Sequence, residues 1–156
     1  MHITIVAVGQ KLPAWAQTAV DDYLARFPRD FTVIVKEVKA EARTGGKPVA
    51  QVMAAEAERI ERAVPAGDIL VAMDEHGRDM TTLDFSKKIS GWKNEGYGVT
   101  FIIGGADGLD PALKAKSRMM LRLSSMTLPH AFARVLLTEQ IYRAWSILAN
   151  HPYHRV

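Results

Sequence analysis

Five short apolar runs recur along the chain, and each gives way to a polar or glycine-containing turn. Residues 3–8 (ITIVAV) are a continuous apolar run of the buried-strand kind, stopped by Gly9. Residues 31–38 (FTVIVKEV) alternate like a half-buried strand. Residues 69–73 (ILVAM), 99–103 (VTFII) and 120–124 complete the set. Helices are predicted between them. The first covers about 13–26, where Pro13 suits an opening turn because its missing N–H would have no partner there. The second covers 49–64, rich in Ala and Glu and stopped by Pro65-Ala66-Gly67. A third, at 82–93, is capped by Thr82 or Thr81, and a fourth runs from Pro111 to about 118 behind Asp110. The last covers 131–149. Residues 39–48 (KAEARTGGKP) read as a mobile polar loop. This alternation predicts an α/β fold, a largely parallel sheet with helices on both faces. With no repeat, low-complexity tract or linker, the 156 residues are expected to form one domain, 1–156.

Composition narrows the chemistry. There is no cysteine, which excludes disulfides, thiolate nucleophiles and Cys-based zinc sites. No apolar run reaches the length of a membrane span, and HITIVAVG at the N-terminus lacks the features of a signal peptide, so no membrane partner and a cytoplasmic location are expected. The net charge of +3 is unevenly spread. Residues 1–99 carry 13 Lys/Arg against 14 Asp/Glu, whereas residues 100–156 carry 7 against 3 and three of the five histidines. A basic C-terminal half suits an anionic partner such as RNA.

That half also holds the most informative residues. Gly104-Gly105 follows a strand directly, where glycine permits a sharp turn and close approach of a ligand to backbone N–H groups. Alone, the pair reads as a plain strand-to-helix turn. GGADG is not the dinucleotide fingerprint, and no P-loop pattern occurs. Residues 123–130 (LSSMTLPH) offer hydroxyls, a thioether and backbone amides, a set able to wrap a flat adenine ring. Ser124 or Ser125 with His130 is a weak nucleophile–base pair, since no G-x-S-x-G elbow is present. Phe132, Val135, Tyr142 and Trp145 recur at helical spacing and read as core or interface. Glu139 and Arg143 form an i,i+4 pair that either supports the helix surface or faces a nucleic acid. The tail NHPYHRV brings two imidazoles, a phenol and a guanidinium together: histidine suits proton transfer near neutral pH, Tyr153 can stack on a base, and Arg155 can hold a phosphate. The bland alternative is a tail docked for stability. His130, His151 and His154 are a conceivable zinc set, but no carboxylate sits beside them, so no metal is expected.

Taken in order, VAVGQKLPAW (6–15), YLARFPRD (23–30), FIIGGADGL (101–109), LSSMTLPHAFARVLLTEQIYRAWSI (123–147) and NHPYHR (150–155) resemble the SPOUT-class methyltransferases. Within that class the chain is most similar to the small ribosomal RNA large subunit methyltransferase H group, from end to end. The resemblance implies a deep trefoil knot in the C-terminal half, which sequence rules would not propose because knotted chains are rare. It implies S-adenosylmethionine as cofactor, bound by Met73, by Gly104, and by Leu123, Ser124, Ser125, Met126, Thr127 and Leu128. It also implies a homodimer with its active site at the subunit interface, and N3-methylation of a pseudouridine in large-subunit ribosomal RNA on the assembled ribosome. Met73 stands where a leucine is expected, a swap that keeps volume and apolarity.

The mechanism expected from these residues is direct displacement, in which the uracil nitrogen loses its proton and takes the methyl group. His154 is the first candidate base, with His130 and Glu139 behind it. Arg143 and Arg155 would hold phosphate or stabilise the developing anion, and Tyr153 would position the base. The rival readings are a non-catalytic RNA-binding, ribosome-associated factor, a serine–histidine hydrolase, and a SPOUT methyltransferase acting on tRNA.

Overall fold

A computed structural model describes residues 1–9 and 11–154. Its sheet is built from β1 (His2–Val8), β2 (Thr32–Val38), β3 (Ile69–Arg78), β4 (Val99–Ile103) and β5 (Met119–Leu121) in the order β2-β1-β4-β3-β5. Every pairing is parallel. The helices are α1 (Ala14–Leu24), α2 (Val49–Ala63), α3 (Thr82–Asn94), α4 (Pro111–Lys116) and α5 (His130–Leu148). The expected α/β class and alternation hold.

Apart from buried Thr4 and Thr100, the buried positions of the central strands β1 and β4 are apolar because both their faces are covered. In β1, Ile3, Ile5 and Ala7 enter one core while Val6 and Val8 enter the other. β4 divides in the same way, Phe101 and Ile103 against Ile102. The first core is closed by Phe85, Ile89 and Trp92 of α3 and Leu137, Ile141 and Ala144 of α5. The second is closed by Ala57 and Ile60 of α2 and Leu113 of α4. α1 joins α5 through Leu12, Ala16 and Val20 packed with Ala131 and Val135. The crossovers explain this division. β1→β2 and β3→β4 move one way across the sheet and place α1 and α3 on one face. β2→β3 and β4→β5 move the other way and place α2 and α4 on the opposite face. A constant crossover handedness demands that alternation.

Three local expectations change. β3 does not end at Met73 but runs on to Arg78, with an irregularity between Met73 and the Arg78–Leu121 pairing. Polar DEHGR can extend because its backbone meets β5: a Cβ on Gly77 would lie 2.7 Å from the Leu121 carbonyl carbon. β5 is only three residues long and stops at Leu121, so Leu123 and Ser124 lie beyond the strand. There the Ser124 hydroxyl accepts from Met126 N–H at 2.9 Å and bends the chain. Residues 39–48 are not loose. Glu41 pairs with Arg59 at 3.1 Å and Lys47 at 3.5 Å, its backbone N–H donates to Glu56 at 3.1 Å, and Arg43 pairs with Asp107. Among the described residues, no helix is long and apolar enough to cross a membrane.

Candidate functional site

A cleft opens at the carboxyl ends of β3, β4 and β5, the edge where α/β sheets place their ligands. It is lined by Met73 and Asp74 from β3, Ile103 from β4, Leu121 from β5, Leu123, Ser124, Met126, Thr127 and Leu128 from the following loop, and Ala133 from α5. Six of the eight residues assigned to a cofactor from sequence therefore meet in one place. Gly104 directly follows Ile103, and Ser125 is the loop residue that does not line the cleft. The walls are mainly apolar, with hydroxyls from Ser124 and Thr127 at intervals, which suits a ligand that is part flat ring and part polar chain. Met126 is 75% exposed at the rim, a flexible thioether free to fold onto an occupant.

Two features of the cleft were not legible in sequence. Asp74 accepts from His76 N–H at 2.8 Å and from the Lys114 ammonium at 3.0 Å. Burial would raise its carboxyl, but these two partners outweigh burial and hold it below the usual carboxylate range. Asp74 therefore stays ionised, paired with Lys114, in a cleft that Glu75 and Arg122 also line. Gly104 is also required sterically, because a Cβ there would fall 2.5 Å from the Gly108 carbonyl carbon. The turn behind it is closed by Gly108 N–H donating to Gly105 at 3.0 Å.

His130 opens α5 and sits among charged partners. Arg134 Nε donates to His130 Nε2 at 2.9 Å, and Arg134 Nη1 donates to Glu37 at 2.8 Å. With Nε2 accepting from Arg134, the proton of the neutral ring resides on Nδ1. Burial first, and then the Arg134 cation, push His130 below its ordinary value against the opposing pull of Glu37. His130 is thus a ring whose Nε2 lone pair is already committed to Arg134, which makes it a poor general base.

The tail is docked by a helix-terminal motif. Asn150 adopts φ 54°, a left-handed conformation that asparagine tolerates. Its N–H bonds to Ile147 O at 3.3 Å, and His151 N–H bonds to Ser146 O at 2.8 Å, the paired closure of a Schellman end. The chain then turns back along α5. Tyr153 donates to Glu139 Oε1 at 2.9 Å and lies 3.0 Å from the Tyr23 hydroxyl. Its ring packs edge-on to Tyr142 at 4.7 Å, and the Arg143 guanidinium lies 5.0 Å from its centroid. Burial, then the bonds to Tyr23 and Glu139, push the phenol well above its ordinary value, so it stays protonated. Glu139 also accepts from Arg143 Nε at 2.9 Å and from Gln140 at 2.8 Å, which leaves its carboxylate little capacity as a base.

His154 differs. Its Nδ1 lies 3.1 Å from Ser146 Oγ, and that hydroxyl gives its single proton to Arg143 O at 2.7 Å. Ser146 must then accept from His154, which fixes the proton on Nδ1 and leaves the Nε2 lone pair without a partner among the described residues. The structure gathers His154, Tyr153 and Arg143, the three residues assigned to catalysis, at one end of α5. Arg155 lies outside the described residues. His130 is at the opposite end of α5 from His151 and His154, and among the described residues no cluster of His, Asp and Glu could hold a metal ion.

Residues 1–154 match the family described as predicted SPOUT methyltransferase. The chain is 53% identical over 156 residues to the ribosomal RNA large subunit methyltransferase H of Ralstonia pickettii, covering 100% of both chains. It is 54% identical over 155 residues to the protein of that name from Bordetella avium, covering 99% of each. Among solved structures, a probable methylase family protein from Haemophilus influenzae superposes with a TM-score of 0.59 at 13% identity, over 99% of this chain and 70% of that one. A putative methylase family protein from Neisseria gonorrhoeae gives 0.56 at 14%, over 99% and 85%. At those identities the structural likeness speaks for the fold.

Proposed function

The chain belongs to the SPOUT methyltransferase family, and from that premise we propose that it transfers a methyl group from S-adenosylmethionine to N3 of a pseudouridine in large-subunit ribosomal RNA, on the assembled ribosome in the cytoplasm. The observation that carries the reading is the convergence of Met73, Leu123, Ser124, Met126, Thr127 and Leu128 on one cleft, with Gly104 next in the chain after its Ile103 wall. The residues present fit the cofactor. Apolar side chains from β3, β4 and the loop after β5 would sandwich the adenine, while Ser124, Thr127 and the backbone of Gly104 would meet its polar edges. When bound, S-adenosylmethionine supplies an electrophilic methyl group.

The chain's own task is to deliver a deprotonated nitrogen in line with that methyl. His154 takes the N3 proton at Nε2, and the proton on Nδ1 stays with Ser146. Arg143 places a cation where negative charge develops on the uracil carbonyls. Tyr153 and Glu139 hold the Arg143 side chain in place, and Tyr153 would position the base.

One protomer cannot do this alone. Ala133, at the cleft, and Ser146, which holds His154, are thirteen residues apart on α5. At the rise of an α-helix that is about 20 Å, far beyond contact with a bound methyl group. A second copy packed on the same helix, antiparallel to it, brings the partner subunit's His154 to this cleft. The exposed surface suits such a partner: Trp15 and Phe132 are 51% and 48% exposed and pack in a tilted pair at 4.9 Å, with exposed Leu136 on the same helix. We therefore propose a homodimer with two composite sites.

The test is transfer of labelled methyl from S-adenosylmethionine to ribosomes and to free rRNA from cells lacking this protein. Label in large-subunit RNA on ribosomes, with little on free RNA, is expected. Cofactor binding without label in either substrate would refute the proposed acceptor. Absence of cofactor binding would favour a non-catalytic RNA-binding factor.

A further inference from the structure

A second cavity opens at the carboxyl ends of β1 and β4, with a volume of about 460 Å³, in the range of small-ligand sites. Its walls include Val8, Leu12 and Pro13, and its charged residues are Lys11, Arg43 and Glu56. Residues 6–15, one of the stretches that carry the family resemblance, contribute to this cavity and not to the cofactor cleft among the described residues. We propose that the cavity receives the RNA nucleotide next to the one methylated, with Glu56 accepting from the amino group of its base and Lys11 and Arg43 meeting its phosphate, an inference that rests on the neighbouring cleft being the S-adenosylmethionine site.

Glu56, on α2, is 3% exposed, and its carboxylate is half satisfied. Oε2 accepts from Glu41 N–H at 3.1 Å, whereas Oε1 is buried with no partner among the described residues. An acceptor buried without a donor is unfavourable, so packing alone does not account for a glutamate at this position. Gly105 leaves the carboxylate approachable. A Cβ there would stand 3.0 Å from Oε1 and 3.3 Å from Oε2, so any side chain would crowd the carboxylate. Gly105 is not among the glycines with positive φ, so the space beside Glu56, rather than backbone conformation, calls for glycine.

The lining sets the class of ligand. A carboxylate only accepts, so the group that meets Oε1 must donate. The cations call for an anion on the same ligand. Lys11 is exposed and pairs with no carboxylate among the described residues, and the Arg43 side chain, which holds Asp107, is 44% exposed. A nucleotide presents a donor, an anion and flat apolar faces together. Adenine, cytosine and guanine carry an amino group on the pairing edge. Uracil instead flanks its one N–H with two carbonyls, which would face the carboxylate.

The cavity also lies where a neighbour of the target would fall. Gly105 comes two residues after Ile103 of the cofactor cleft, and His130 two residues after Leu128. Two residues span at most about 7 Å, so one RNA strand can reach both places.

The experiment titrates the intact protein, saturated with S-adenosylmethionine, with CMP and with UMP, and follows the backbone amides by NMR. These nucleotides differ only on the pairing edge of the base. CMP is expected to bind about tenfold more tightly than UMP, the worth of one hydrogen bond to a charged acceptor, with shifts centred on Lys11 and Gly105. Glu56→Gln keeps an acceptor for Glu41 N–H but can turn an amide N–H₂ toward the base, and it should erase the preference. Lys11→Ala, at an exposed position, should weaken both nucleotides alike. On ribosomes both variants should raise KM with little change in kcat. Equal binding of CMP and UMP to wild type would assign the Oε1 position to solvent and overturn the proposal, as would a preference that survives Glu56→Gln. Lost S-adenosylmethionine affinity in Lys11→Ala, with thermal unfolding unchanged, would assign the cavity to the cofactor and overturn it too. Wild type that binds no S-adenosylmethionine would overturn the cofactor reading, and this proposal with it. Ribosomes that take no label while the CMP preference holds would overturn the proposed acceptor and leave the nucleotide site standing.

Discussion

Replacing Gly104 with alanine tests the cleft by adding a single methyl group. The new Cβ would stand 2.5 Å from the Gly108 carbonyl carbon, 2.7 Å from its oxygen and 2.8 Å from Leu109 N, all backbone atoms. Ordinary contact begins near 3.4 Å, so the Gly108 peptide must retreat by about 0.9 Å. No rotamer change can relieve the clash, and Gly108 is tied to Gly105 by a hydrogen bond. Overpacking of this kind typically costs about 1–3 kcal/mol. A displacement near 1 Å at a site that must align two reactants lowers turnover on the order of 100-fold. Gly91, inside α3, is the control, because a Cβ there meets nothing within 4 Å. Gly91→Ala should stabilise the protein by roughly 0.5–1 kcal/mol through helix propensity. The assays are thermal unfolding and calorimetry of cofactor binding on both variants. Gly104→Ala with wild-type unfolding and wild-type affinity would refute the argument that backbone contact dictates glycine at the cleft.

Other outcomes follow from the same geometry. His154→Ala should keep cofactor affinity and lose about 10²–10⁴-fold in turnover, the usual worth of a positioned base; unchanged turnover removes it from that role. Phe132→Asp should shift sedimentation from dimer to monomer and abolish turnover, and an active monomer would exclude the composite site. Asp74→Asn should destabilise the protein above about pH 4, where wild type gains from the ionised carboxyl whose folded value is depressed. That difference should shrink as pH falls through the depressed value, and a difference that instead grows toward acid would contradict the Lys114 pairing. Thr81→Ala removes the hydroxyl that accepts from Asp84 N–H at 3.1 Å and should cost about 1 kcal/mol in a denaturant titration.

The sequence by itself determined the secondary elements and the α/β class, because their signals are local. Apolar runs stopped by glycine wrote β1 and β4, Thr81 and Asp110 wrote the starts of α3 and α4, and alternation of strand with helix wrote a parallel sheet. The resemblance named the cofactor positions from stretches that lie far apart in the chain. Tertiary structure decided the rest, because each remaining feature pairs residues that no local pattern links. β3 reaches Arg78 only because β5 lies beside it, and β5 stops at Leu121 because Ser124 bends the next turn. The loop 39–48 is polar in sequence yet pinned, since Arg59 and Asp107 reach it from other elements. Arg134 looked like one more basic residue of the C-terminal half; across ninety-seven positions it finds Glu37. Residue type ranks His154 ahead of His130 and Glu139 as a base, but only their partners show which of them keeps an uncommitted lone pair. Which lone pair remains free is set by neighbours in space, and a proton transfer depends on that lone pair rather than on the residue type.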